Sequence, residues 1–172
     1  MTPATTKHRL EVAERQLVMV QSFFPRIDAK VSALLAITAA QIAIAALNTS
    51  AGDLALWYVS VPLAFFVLAI IGTVVNLYRC AYPHLHGGNA SLVYFSEIAK
   101  LRDVQFVQNY CGISDDDLLK DICGQIWRNS EIVTRKYGYL RLATVFNMWS
   151  VLPWAALLFA TSLTHARVPV VN

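Results

Sequence analysis

The sequence predicts an all-α membrane protein: three transmembrane helices, an N-terminal amphipathic helix, and a cytoplasmic helical hairpin whose second helix continues into the third span. Three observations predict it. Apolar residues make up 56% of the 172 and charged residues only 15%, against about 25% charged in a soluble domain, and the mean hydropathy is +0.48. Three runs have the length and composition of spans, which need roughly 20 mostly apolar residues. The charge is gathered instead in one internal segment, Arg79 to Arg141, which holds eight of the fourteen Lys/Arg, seven of the eleven Asp/Glu and all three Cys.

Residues 1–30 form the leader. Leu10, Ala13, Leu17, Val20 and Phe24 recur at three and four residues, an apolar seam on a helix, which Ile27, Val31 and Leu34 continue. The seam suits a helix that lies on the membrane or packs against the cytoplasmic segment, or one that self-associates. Pro25 removes one ladder hydrogen bond and crowds Gln21, so a kink or break is expected there.

Residues 31–78 hold the first two spans, Val31 to Leu47 and Leu54 to Leu77, joined by an outside loop at 48–53. The first run follows a charged leader and lacks a small-residue cleavage site, unlike a signal peptide. Ala29, Ala33, Ala36, Ala40 and Ala43 recur at helical spacing, which lets helices approach closely in lipid. The third span, Leu142 to Leu163, falls within residues 142–164, and residues 165–172 form an outside tail. Gln41, Asn147 and Ser150 are polar groups inside spans and face protein or water rather than lipid tails, as interhelical hydrogen-bonding groups or as pore or interface residues.

Orientation follows from Lys and Arg near the span ends. The leader carries Lys7, Arg9, Arg15, Arg26 and Lys30, the polar segment eight more, the loop at 48–53 none and the tail only Arg167. The N-terminus and the segment 79–141 are therefore expected in the cytoplasm, with the C-terminus outside. Cysteines on that side are expected as thiols. A net charge of +3 fits the orientation bias and implies no nucleic-acid polymer as partner.

Within 79–141, Pro83 and Gly87-Gly88 mark a loop. Ser91 is expected to cap a helix running to about Cys111, stopped by Gly112. Ser114 then starts a second helix with Asp117 as capping-box partner and Asp115 to Asp117 in its first turn. Nothing clearly breaks it before Pro153. Run on to Thr164, it would measure about 75 Å, of which only about 30 Å fits in hydrocarbon; the rest is expected to stand in the cytoplasm as a stalk.

No Ser/His/Asp set, paired carboxylates or Walker-type loop appears, so no catalytic residue is assigned and the protein is read as a non-enzyme. Cys80, His84 and His86 lack a fourth ligand and a zinc-like order; no metal or cofactor is expected. Small-anion binding has better support. Gly87 and Gly88 permit close backbone approach to a phosphate, and Ser91 opens the following helix. Tyr94 and Phe95 offer rings to a base. Trp127, Arg128 and Asn129 place a stacking ring, a phosphate-pairing guanidinium and an amide within two turns. The alternative is that Trp127 packs between helices while Arg128 and Glu131 form a surface pair.

These residues carry a resemblance. The stretches Arg26-Ile27-Asp28-Ala29-Lys30, Tyr78-Arg79, Tyr82-Pro83, Gly87-Gly88, Ser91 to Ala99, and Gly124 to Ile132 with Lys136 resemble the transmembrane effectors of the Pycsar anti-phage systems. The resemblance covers most of the chain. It implies a multi-pass effector of the bacterial inner membrane, activated by cyclic CMP or cyclic UMP made by a partner cyclase. It further implies disruption of that membrane and abortive infection, with residues 79–141 as the sensor. A homo-oligomer is expected, because three such helices cannot line a wide pore alone. A competing reading is a membrane interaction module switched by a protein partner, with the leader seam and the stalk as docking surfaces.

Overall fold

The computed structural model describes residues 3–82 and 90–166. In chain order the elements are α1 (Pro3–Gln21), α2 (Phe23–Asn48), a 3-10 turn (Ala51–Ala55), α3 (Trp57–Ala81), α4 (Phe95–Ile98), α5 (Asp103–Gly112) and α6 (Asp115–Ala166). No strand occurs among the described residues. Three helical stretches are long and apolar enough to cross a membrane: Thr5–Asn48, taken through the turn at Ser22, Trp57–Ala81, and Asp115–Thr164. The chain divides into two compact units, one from Met1–Arg26 and Pro83–Arg135, the other from Ile27–Tyr82 and Lys136–Asn172.

In the first unit the leader seam is a packing seam. Ala13 and Leu17 are buried against Ile122 of α6, and Leu10, Val93, Leu118, Leu119 and Ile126 pack around them. Thr6 Oγ1 donates to Asp116 Oδ1 at 3.4 Å near the start of both helices, so α1 and this part of α6 run parallel. The interruption expected at Pro25 lies three residues earlier, at Ser22. That places Pro25 in the first turn of α2, where its missing N–H would have no helical partner anyway. The Ser22 hydroxyl closes α1 by donating to the Met19 carbonyl at 2.7 Å.

The single helix expected from Ser91 to Cys111 is not formed. The chain makes one turn, α4, and only then the ten-residue α5. Ser91 does not cap a long helix; its hydroxyl accepts the amides of Val93 and Tyr94 at 3.2 and 3.0 Å, holding them in a turn ahead of α4. The second start is formed as the sequence suggests. Ser114 Oγ accepts the Asp117 amide at 3.2 Å and donates to the Asp117 carboxylate at 2.7 Å. From there α6 runs as one helix of 52 residues through Gly124, Gly138 and Pro153.

In the second unit, Ala45, Val59, Phe66, Ile70, Leu157 and Ala160 form an apolar core, with Leu56, Tyr58, Leu63 and Trp154 packed on it. The buried positions of α2 are Ile27, Thr38, Gln41 and Ala45. The alanine stripe expected to bring helices together is on the exposed side of α2: Ala29, Ala33, Ala36, Ala40 and Ala43 are all exposed. Close approach is made elsewhere, at Gly72, where an added Cβ would lie 2.7 Å from the Phe146 ring. The turn between α2 and α3 is held by Asp53, whose carboxylate accepts both the amide and the hydroxyl of Ser50 at 2.8 Å. Leu68, Leu152 and Phe159 stand 64–67% exposed, a surface suited to lipid as solvent and costly in water.

Candidate functional site

Two clusters of polar and aromatic side chains organise the described residues, one in each unit. In the first unit the centre is Ser91. It is buried, and besides the two local amides it accepts the Gln125 Nε2–H at 3.0 Å. One residue on, the Leu92 amide donates to Asp121 Oδ2 at 2.8 Å. Asp121 and Gln125 are four residues apart on α6 and so share a face, and that face holds the segment 91–94. Ala90 enters this segment with φ 56 and its amide donates to Glu97 Oε2 at 3.4 Å. Lys100, hydrogen-bonded to the Glu97 carboxylate, holds that carboxyl below the ordinary carboxylate range, with the Ala90 amide adding to the effect.

The candidate nucleotide residues divide between faces of α6. Trp127 lies two positions from Gln125, about 200° around the helix. Arg128 and Asn129, three and four positions from Gln125, lie on the Gln125 side and are half-buried. Tyr94 and Phe95 stack edge-on with ring centroids 4.9 Å apart; Phe95 is exposed and Tyr94 half-buried. Gly87 and Gly88 lie outside the described residues, as do His84 and His86. Trp127 is 67% exposed and, with residues of α1 that include Arg9, Val12 and Gln16, lines a groove of about 820 Å³.

In the second unit the structure brings Gln41, Asn147 and Ser150 together. All three are buried. Asn147 Nδ2 donates to Thr38 Oγ1 and to Gln41 Oε1, both at 3.1 Å. The Ser150 hydroxyl lies 3.3 Å from Gln41 Oε1 and 2.6 Å from the Asn147 carbonyl. Trp154 Nε1 donates to the Gln41 carbonyl at 3.1 Å. Within the chain these groups satisfy one another between α2 and α6, as polar side chains in a span must.

Two relationships were not legible beforehand. Lys136 is buried and pairs with Asp28 at 2.9 Å, and the Cys80 thiol donates to the Lys136 carbonyl at 3.4 Å. Asp28 and Lys136 both lie in the stretches that carry the resemblance, which was the available signal. The tether through Asp121 and Gln125 had a weaker one: Gln125 stands in the same stretch as Trp127, but nothing local names its partner. Among the described residues no group of three or more His, Cys, Asp or Glu is placed to hold a metal ion, and Cys80, Cys111 and Cys123 are all free.

Neither the curated proteins nor the solved structures offer a match. A family model does, that of the Pycsar effector protein domain, over residues 12–162. The match takes in most of both units, from the leader seam through the third apolar stretch. The chain therefore belongs to the Pycsar effector family and is a membrane protein that acts as an effector of Pycsar anti-phage defence, a role tied to a cyclic nucleotide signal from a cyclase.

Proposed function

We propose that the protein is a non-enzymatic effector of the bacterial inner membrane, with its N-terminus in the cytoplasm and its C-terminus outside. It is switched on by a cyclic pyrimidine nucleotide, cyclic CMP or cyclic UMP, and then permeabilises that membrane, causing abortive infection. Permeation requires several subunits, since three helices enclose no wide path, so the active form is a homo-oligomer. Gln41, Asn147 and Ser150 are the groups whose hydrogen bonds an opening would exchange.

The observation that supports this reading is that one helix, α6, contributes to both units: residues 115–135 to the polar one and 136–166 to the apolar one. A binding event that favours one arrangement of the first unit has a covalent path to the second. Ligand can shift such an equilibrium only by its differential affinity for the two arrangements. The nucleotide candidates remain Gly87, Gly88, Ser91, Tyr94, Phe95, Trp127, Arg128 and Asn129. Among these Ser91 has its hydroxyl engaged by three donors, so its part is to hold the segment in place, while Phe95 and Trp127 present open rings.

The test is calorimetry or thermal shift on detergent-solubilised protein with cyclic CMP, cyclic UMP, cyclic AMP and cyclic GMP added separately. Saturable binding of one pyrimidine nucleotide supports the proposal. Failure of all four to bind removes it and favours a module switched by a protein partner.

A further inference from the structure

The geometry points to the groove between α1 and α6 as the place where a nucleotide sits, with its base on Trp127 and its phosphate on Arg9. This rests on the cyclic-nucleotide reading above but assigns a site that the polar loop does not suggest. The groove is about 820 Å³, within the range of small-molecule sites. Val12, Leu119 and Ile126 give it an apolar lining, and His8, Arg9, Gln16 and Trp127 add polar and aromatic groups.

Of the lining residues on α1, His8 and Arg9 come first in the helix and Gln16 last. Because α1 and α6 run parallel here, Arg9 lies near the level of Leu119, and Gln16 near that of Trp127. Seven residues of helix separate Arg9 from Gln16, about 10 Å of rise, comparable with the whole length of a cyclic mononucleotide. A guanidinium pairs with two phosphate oxygens at once. The exposed indole gives a base a face to stack on, and the Gln16 amide offers both a donor and an acceptor to a pyrimidine edge.

A ligand so placed would touch both α1 and α6. It would bridge the leader to the helix that also supplies the apolar unit, and so favour the arrangement in which the two helices are packed. Ser91 would then hold the neighbouring segment without contacting the ligand.

Cys123 lines the same groove and is exposed, while Cys111 is exposed on α5 and Cys80 is buried. A Cys111→Ser variant of the full chain therefore reports on the groove through maleimide modification of Cys123. With whichever cyclic pyrimidine nucleotide binds the wild-type chain, Cys123 should be protected at saturation. Trp127→Ala should weaken binding about tenfold to a hundredfold, the loss expected for one stacked base, and Arg9→Ala should weaken it by about tenfold or more. Lys120→Ala, which removes an exposed charge paired with Asp117, should leave affinity unchanged. If the nucleotide binds with Cys123 still reactive and both variants at wild-type affinity, the groove is not the site although the nucleotide reading stands. If Cys123 is unreactive before any nucleotide is added, the groove is already covered and the assignment is overturned. If no nucleotide binds the wild-type chain, the reading beneath the assignment has failed.

Discussion

The Lys136 ammonium lies 2.9 Å from the Asp28 carboxylate, and the carbonyl of the same lysine accepts the Cys80 thiol at 3.4 Å. One residue of α6 thus engages α2 through its side chain and α3 through its backbone. The pair is asymmetric: the Lys136 side chain is 8% exposed and that of Asp28 58%. A buried ammonium depends on its partner, whereas a half-exposed carboxylate can turn to water.

The consequence is a prediction about single and double replacement. Asp28→Asn should destabilise the protein on the order of 1–2 kcal/mol, less than for a fully buried pair because Asp28 is partly solvated. Adding Lys136→Met should recover most of that loss, since the stranded charge goes with it. Melting in detergent measures both; additive losses would show that the two side chains do not depend on each other.

The Asn147 amide serves Thr38 and Gln41 at once. Asn147→Leu should therefore lower stability by about 1 kcal/mol, in line with hydrogen bonds inside membrane proteins. In a double-mutant cycle with Gln41→Leu, the two losses should sum to more than the double variant shows. Strict additivity would mean the contact carries no coupling.

Gly72 and Phe146 meet with no room for a methyl group. Gly72→Ala should cost about 1–3 kcal/mol by overpacking, and Phe146→Leu should rescue it. A Gly72→Ala protein that melts like the wild type would show that the Phe146 ring moves aside freely.

Ser91 carries the segment ahead of α4 on a single hydroxyl. Ser91→Ala should leave the Val93 and Tyr94 amides and the Gln125 amide without that acceptor, at a cost of about 1–2 kcal/mol. Hydrogen exchange should rise at residues 92–94, while nucleotide affinity falls far less than in Trp127→Ala. Equal losses of affinity in the two variants would place Ser91 at the ligand.

The sequence made several of these elements readable because their causes are local. The leader seam at Leu10, Ala13 and Leu17 is a periodicity, the start at Ser114 is a side chain within three residues of its partner, and the spans are runs of composition. The break between α4 and α5 has no such cause. No Gly or Pro lies between Ser91 and Cys111; the tethers to Asp121 and Gln125, about thirty residues away, hold the segment 91–94 in its turn ahead of α4. The division of Trp127 from Arg128 and Asn129 was hidden for a similar reason. Adjacency in sequence concentrates chemistry, but a helix sends residues two apart to opposite faces. Likewise the alanine stripe of α2 has the spacing of a packing face, yet the buried face is set by where Thr38 and Gln41 find Asn147.

The central claim is that a cyclic pyrimidine nucleotide turns this protein on its own membrane. Proteoliposomes loaded with a self-quenched dye, with protein inserted in both orientations, test it most directly. The account predicts dye release on addition of cyclic CMP or cyclic UMP, little with cyclic AMP or cyclic GMP, and none from vesicles without protein. Release that ignores nucleotide, or vesicles that stay sealed while the nucleotide demonstrably binds, would contradict it.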